Sequence, residues 1–221
     1  MPTLRLTRSK AAFLTAVPLA WAVLLWFHPT VARDDVYGDL RDDVTTYQVV
    51  HVGTLVFIGL MGLALYLLVR DLPGTAARFS RLAIGPFVLL YGAWEAVIGL
   101  AVGSLVQHAN DAPAGQRPAV SDAIQSVGTD VIIGDPGIVG SIGALAWIGA
   151  VIAAAVAIRG AGAPMAATVL LGLSLVVVSH PPPIGPVGLC CFAGAVVVLY
   201  CNKRAGATKT DRAQSPAPTP T

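Results

Sequence analysis

Six long apolar runs divide the chain, and they constrain its fold more than any other feature. They cover roughly residues 11–28, 48–69, 82–106, 137–158, 164–180 and 184–201. About 20 apolar residues in a helix cross the hydrocarbon of a bilayer, and the runs are long enough or nearly so. The sequence therefore predicts an all-α, polytopic membrane protein built as a bundle of six transmembrane helices.

The scarcity of charge supports the same interpretation. Of the 221 residues, 55% are apolar and 12% are charged, whereas a soluble domain carries about 25% charged residues. A water-soluble core of ordinary size cannot bury this much apolar surface, so the lipid bilayer is the first expected partner. Arg outnumbers Lys eleven to three and Ala and Gly are abundant, a bias typical of GC-rich bacterial genomes. We therefore expect a bacterial plasma-membrane protein.

The basic residues fall almost entirely on one side of the predicted bundle. That side carries Arg5, Arg8, Lys10, Arg70, Arg78, Arg81, Arg159, Lys203, Arg204, Lys209 and Arg212, and the other side only Arg33, Arg41 and Arg117. Cytoplasmic loops carry the excess of Lys and Arg, so both termini are predicted to be cytoplasmic. Residues 1–10 form the N-terminal segment, and residues 202–221, rich in Ala, Thr, Pro and Ser, are predicted to be a disordered tail.

The first apolar run also has the look of a signal peptide, because a basic segment precedes it. Its apolar stretch of about 17 residues is long for a signal and long enough for an anchor. We therefore expect the first span to be retained. Cleavage in the following "PTVA" is the alternative, and it would remove His28 with the span.

Both long loops on the acidic side show apolar residues at helical spacing, which predicts two short amphipathic helices at the membrane interface. In residues 29–47 the apolar positions are Val36, Tyr37, Leu40, Val44 and Tyr47. In residues 107–136 they are Val120, Ala123, Ile124, Val127 and Val131, with Pro118 placed for a helix start and Gly134 for its end.

Glu95 is the clearest polar residue inside an apolar run, in "LLYGAWEAVIGLAVG". Counting residues places it near the middle of the third span, where an ionisable group is costly and is a functional candidate by default. Tyr91, one turn earlier, is within reach of a hydrogen bond to it, and a backbone carbonyl of another span is the alternative partner. Two interpretations stay open: a protonated Glu95 that fixes helix register, or a group that handles protons or binds a cation.

Three histidines are predicted at one level near the outer side of the bundle. His51 lies about one turn inside the second span, with Tyr47 and Thr54 on its face. His28 and His180 end the first and fifth spans, and each is followed by proline, which stops a helix. His108 lies just beyond the third span and is expected to be an ordinary interfacial ring.

A joint hypothesis follows from these positions. His28, His51 and His180 converge at the outer mouth of the bundle, and Glu95 lies roughly 10 Å deeper by the helical rise per residue. Imidazoles are common ligands of zinc, copper and haem iron. The sequence contains no HExxH and no CxxC, so the main expectation is no cofactor, with a metal ion or haem b as the alternative.

The expected function is an outward-facing polar pocket for binding or transport of a small ligand, an ion or protons, built from Glu95, His51, Tyr91, Tyr47, His28 and His180. The first alternative is a structural or accessory subunit of a membrane complex, and the second is a haem- or metal-binding oxidoreductase. A homodimer or a membrane-protein partner is a further open alternative, although the Gly99–Gly103 pair favours packing within the chain.

Enzyme and nucleic-acid signatures are not found. The sequence has no phosphate-binding Gly-rich loop and no GxSxG, so we lean towards a protein that is not an enzyme. Nucleic-acid binding is not expected, because the membrane topology accounts for the basic residues.

Overall fold

The computed structural model describes residues 6–32 and 34–214, with side chains as far as Lys203. Every regular element in this part of the chain is helical, which confirms the all-α prediction. The helices are α1 (Arg8–Leu25), α2 (Val36–Leu40), α3 (Val44–Val69), α4 (Thr75–Asp111), α5 (Arg117–Gly128), α6 (Ile138–Gly160), α7 (Met165–Val178) and α8 (Ile184–Gln214).

Five of these helices are long and apolar enough to cross a membrane, namely α1, α3, α4, α6 and the part of α8 from Ile184 to Lys203. Helix α7 is apolar but shorter, and its last five residues, Ser174–Val178, form a tighter 3₁₀ turn. The six predicted apolar runs thus correspond to five long helices and one short helix.

The helix ends differ from the predicted runs in two places that affect function. Helix α1 ends at Leu25, so His28 lies beyond it rather than on its last turn. Helix α8 stays helical to Gln214, although residues 202–221 are predicted to be disordered. Ala, Lys and Arg are frequent in residues 202–214 and favour helix. Residues 215–221 of the predicted tail lie outside the described residues.

Helix α4 is continuous, but its hydrogen-bond pattern changes twice. Two π-helical stretches, Phe87–Tyr91 and Ala96–Ala101, flank the α-helical turn that carries Glu95. In a π-helix each N–H bonds five residues back instead of four, which turns the following side chains onto a different face. Such stretches often occur at functional sites.

One end of the bundle gathers the loops predicted to be cytoplasmic. Lys10 lies 3.8 Å from Asp71, and Lys203 Nζ donates to the Leu6 carbonyl at 3.4 Å. Arg81 donates to the carbonyls of Val69 and Leu72, each at 3.1 Å, and so satisfies carbonyls that the end of α3 leaves open. The basic loops therefore share one end, as their sequence pattern predicts.

At the opposite end, α2 and α5 pack over the ends of α3 and α4, and we call these two helices the cap. The Val36 N–H of α2 donates to Gln125 of α5 at 3.3 Å. A small second core beneath them contains Val36, Leu40, Val44, Tyr47, Val102, Val106, Ala109 and Ile124. Each of the two loops therefore contains a helix, and the two helices contact each other; α2 is only five residues long and is separate from α3.

Helix α5 begins close to Pro118, as predicted, but it ends at Gly128 instead of Gly134. The Asp130 side chain accepts the backbone N–H groups of Ile132 and Ile133 at 2.8 and 2.9 Å, which favours a turn over continued helix. The same two N–H groups, that of Ile133 foremost, lower the pKa of the Asp130 carboxyl. Val131 is consequently exposed rather than part of the apolar stripe.

The predicted glycine pair of α4 faces α3. A Cβ at Gly99 would overlap the His51 ring, and a Cβ at Gly103 would lie 2.7 Å from Gln48 Cγ. The small residues thus let α3 and α4 approach within one chain.

We expect Gly99→Ala to destabilise the protein by about 1–3 kcal/mol, because the added methyl forces the His51 ring to move. Gly92→Ala on the same helix is the matched control, since a Cβ there meets nothing within 4 Å. Unfolding in detergent measures both variants. Equal stability of the two would contradict the close approach at Gly99.

Candidate functional site

The structure brings the three predicted histidines and Glu95 together beneath the cap. One ring nitrogen from each of His28, His51 and His180 lies within 4.8 Å of the corresponding atoms of the other two. Glu95 Oε2 lies 3.6 Å from His51 Nε2, and Glu95 Oε1 lies 3.4 Å from His180 Nδ1. We call these four residues the His–Glu cluster.

The cluster draws on four separate segments of the chain. His51 is in α3 and Glu95 is in α4, whereas His28 and His180 lie in the non-helical segments that follow α1 and α7. Proline follows each of these two histidines, so the break that ends each helix also places a ring beside the bundle axis. All four side chains are buried.

Backbone carbonyls fix the tautomers of two rings. His28 Nδ1 lies 2.6 Å from the Pro29 carbonyl oxygen, and His51 Nδ1 lies 2.8 Å from that of Tyr47. A carbonyl only accepts, so each Nδ1 carries the proton and donates it. In the neutral ring, each Nε2 is then left with its lone pair.

His180 connects the cluster to the end of α7. Its Nε2 lies 3.2 Å from His28 Nε2, and its Nδ1 lies 3.2 Å from the Tyr91 hydroxyl. That hydroxyl donates its one proton to the Val178 carbonyl at 3.0 Å, so it is the acceptor in its contact with His180 Nδ1. The predicted hydrogen bond from Tyr91 to Glu95 is wrong, because the π-helical stretch between Phe87 and Tyr91 turns Tyr91 towards the segment that carries His180.

Glu95 is fully buried, and neither carboxylate oxygen has a hydrogen-bond partner among the described residues. The predicted separation of roughly 10 Å between it and the histidines is wrong, since both carboxylate oxygens lie within 3.6 Å of ring nitrogens. The predicted depth of Glu95 depends on the assumption that α3 and α4 end at the same level. Helix α4 instead runs on to Asp111 and reaches into the cap.

Tyr47 forms one wall of the cluster. Its hydroxyl donates to the Ile98 carbonyl at 2.8 Å, and its ring packs against His51 with centroids 4.0 Å apart. Thr54, predicted on the same face, accepts from Trp21 Nε1 at 3.2 Å instead. His108 is exposed and lies outside the cluster, with Nδ1 at 2.9 Å from the Ser104 carbonyl.

Two further residues at the site were not singled out from the sequence. Trp94 and Asp135 line the same cavity, of about 150 Å³, as the three histidines. Trp94 Nε1 donates to the Gly134 carbonyl at 2.7 Å, which ties the segment carrying Asp135 to α4. The position of Trp94 beside Glu95 was an available signal, whereas nothing distinguishes Asp135 from the other loop acids.

The spacing of the rings limits which groups the cluster can hold. His28 packs on both His51 and His180, with centroids 4.9 Å apart in each pair. A haem macrocycle needs a wide apolar slot between its axial ligands, and rings in mutual contact leave none. A single ion fits better, because ligand nitrogens in a tetrahedral zinc site are about 3.3 Å apart for Zn–N bonds of about 2.0–2.1 Å.

Comparison of the chain with protein-family models, curated proteins and solved structures finds no match. A function is therefore inferred from the geometry of the cluster.

We expect Tyr91→Phe to destabilise the protein by about 0.5–1.5 kcal/mol, because the Val178 carbonyl loses its donor. Tyr66→Phe is the matched control, since Tyr66 is exposed and such changes stay within about 0.5 kcal/mol. Thermal unfolding in detergent compares them, and a Tyr91→Phe protein as stable as the control would contradict a structural role for this hydroxyl.

Proposed function

We propose that this chain is a multi-pass membrane protein that binds one transition-metal ion, of the zinc class, at the His–Glu cluster. The observation that carries the proposal is the convergence of three imidazole nitrogens beside a buried carboxylate that has no hydrogen-bond donor among the residues that the structure describes. His28, His51 and His180 are the proposed ligands, and Glu95 supplies the negative charge on the side of the ion away from the cap.

The balance of donors and acceptors supports a cation at this position. His28 Nε2 and His51 Nε2 are acceptors in the neutral rings, because each Nδ1 donates to a carbonyl. An ionised Glu95 is also an acceptor only. The two Nε2 atoms and the Glu95 carboxylate are thus acceptors that lie close together. One cation can interact with the lone pairs of all three.

The chemistry of the ligands selects the class of ion. Imidazole nitrogen suits zinc, copper, iron and nickel, whereas magnesium and calcium prefer sites built from oxygen. The Nδ1–H to carbonyl bonds of His28 and His51 are also the contacts that commonly orient metal-binding histidines and fix their tautomer.

Metal binding is favoured over transport through the bundle. Along α4 from Glu95 towards the basic end, Phe87 packs on Trp147 with centroids 4.6 Å apart and on Tyr91 with centroids 5.6 Å apart. This aromatic layer backs the cluster, whereas the cavity lies towards the cap. A small-ligand or proton pathway from the cap side ends at Glu95.

The second candidate is a structural role without metal. His28 Nε2 and His180 Nε2 are 3.2 Å apart, within hydrogen-bond range. A proton on one of these nitrogens would join the two rings and, through them and Glu95, hold the four segments of the cluster together. An accessory subunit of a membrane complex would need no more than that.

We further propose six membrane crossings with both termini in the cytoplasm, and the cap at the opposite membrane surface. Helix α7 has nine α-helical and five 3₁₀ residues, which gives a length of about 23 Å. The hydrocarbon core of a bilayer is about 30 Å thick, so α7 alone does not cross it. The non-helical segment with His180 then lies inside the membrane, where backbone of this kind is tolerated only when protein covers it.

We expect the purified protein to carry about one zinc ion per chain, measured by inductively coupled plasma mass spectrometry. His51→Ala and His180→Ala are expected to lower zinc affinity by at least about 10–100-fold, the range for groups that merely orient ligands. His108→Ala is the matched control, because His108 lies outside the cluster. Equal zinc content in all three variants would contradict the proposal.

A measurement on the unaltered chain separates metal binding from misfolding of the variants. Chelator-stripped protein is expected to lose thermal stability and to regain it with zinc but not with magnesium; zinc at 100 times its Kd adds about 2.7 kcal/mol. Stability that ignores both chelator and zinc would favour the metal-free network.

The topology is tested by single cysteines at Gly115 and Thr75, in a chain with Cys190, Cys191 and Cys201 changed to serine. Gly115 lies between α4 and α5 and Thr75 lies at the start of α4, so they are expected on opposite sides of the membrane. A membrane-impermeant maleimide added to intact cells should label position 115 only. Labelling of position 75 would overturn the proposed orientation.

A further inference from the structure

We infer that the ion keeps one coordination position on the cavity side, which takes an exchangeable small ligand: water or a small anion with an oxygen or nitrogen donor. This inference rests on the proposed metal binding by His28, His51 and His180. It separates a metal centre that exchanges ligands from a purely structural one, in which protein atoms fill every position.

The cavity meets the cluster on one side only. His28, His51 and His180 all line the cavity of about 150 Å³, whereas Glu95 and Tyr91 are not among its lining residues. The carboxylate thus lies on one side of the three rings and the open space on the other. An ion held by the three rings therefore has the Glu95 carboxylate near its inner side and the cavity at its outer side.

Buried aromatic side chains lie on the inner side of the cluster. Tyr91, Phe87 and Trp147 are buried there and stack in a continuous aromatic layer. An exchangeable ligand therefore reaches the ion through the cavity, between the cap and the segment that follows α1.

The cavity has the size and lining for a small polar ligand. A water molecule takes about 30 Å³ of liquid volume, so the space holds a few waters or an anion as small as azide or acetate. Val31, Val36, Ile98 and Val102 supply apolar walls, and Asp135 is the carboxylate of the lining. Apolar walls around a metal limit competing solvent and strengthen its hold on a ligand.

The chemical consequence is an activated ligand. Three imidazoles with one open position are the arrangement in which zinc lowers the pKa of bound water and generates hydroxide near neutral pH. Water or an anion in its place is therefore the ligand class that this side of the cluster fits.

The test replaces zinc with Co²⁺ in the full-length protein in detergent and titrates the visible cobalt bands with sodium azide. We expect one Co²⁺ per chain and a saturable spectral change as azide enters the open position. Cobalt that binds but keeps its spectrum at saturating azide overturns this inference alone. Cobalt that fails to bind overturns the proposed metal site and this inference with it.

A cavity-filling variant locates the azide. Gly128 lines the cavity, and a Cβ there lies 3.3 Å from Val36 Cγ2, on another residue of the lining, so Gly128→Leu adds a side chain at the cap wall of the cavity. We expect at least tenfold weaker azide binding and unchanged cobalt affinity. Gly115→Leu is the matched control, because a Cβ at Gly115 meets nothing within 4 Å. Equal azide affinity in the two variants overturns the assigned position.

A charge variant gives an independent readout. Asp135→Asn removes a negative charge from the cavity, so azide is expected to bind about 3–10-fold more tightly at low salt. Asp122→Asn on α5 is the control, since Asp122 is exposed and does not line the cavity. An Asp135→Asn protein whose azide affinity matches the control places the azide elsewhere and overturns the inference.

Discussion

The burial of the Glu95 carboxylate is the constraint on which the rest of the structure depends. A carboxylate in an apolar interior is expensive unless a positive charge or hydrogen-bond donors compensate for it, and among the described residues it has no donor. The ring nitrogens of His51 and His180 lie near it, at 3.6 and 3.4 Å. Two π-helical stretches flank the turn that carries Glu95, and Gly99 leaves room for the His51 ring beside it.

Breaks in helices, rather than helices alone, build the site. His28 and His180 each precede a proline, and the chain leaves helical geometry close to both. Such backbone cannot face lipid, because its polar groups would go without partners. Val31, in the first of these segments, packs on the core beneath the cap, and Tyr91 satisfies the Val178 carbonyl beside the second. A His–Pro pair at the end of an apolar run thus serves here both as a helix stop and as a way to turn an imidazole inward.

Hydrophobic runs and charge placement made the fold class, the extent of most helices and the shared end of the basic loops predictable. They also placed His28, His51 and His180 at one level. The depth of Glu95 in the bundle and the direction of the Tyr91 side chain were not predictable, because counting residues assumes an unbroken α-helix. The π-helical stretch that ends at Tyr91 turns its hydroxyl to His180, and the extension of α4 into the cap brings Glu95 level with His51. Asp135 carries no local signal, since only tertiary packing through Trp94 and Gly134 brings it to the cavity.

The charge of an ion bound in an apolar interior relates the His–Glu cluster to the adjacent cavity. In the proposed metal site, three neutral imidazoles and the Glu95 carboxylate would leave a divalent ion with a net charge of about +1, and a buried uncompensated charge is costly. A bound hydroxide or other monovalent anion would bring the ion and these four groups to neutrality. Asp135, which lines the same cavity, opposes an anion there, so the two carboxylates act on the exchangeable ligand in different ways. Without Glu95 the proposed ion would keep its full charge in an apolar interior. The buried carboxylate and an anion at the open position would thus both reduce the cost of burying that charge.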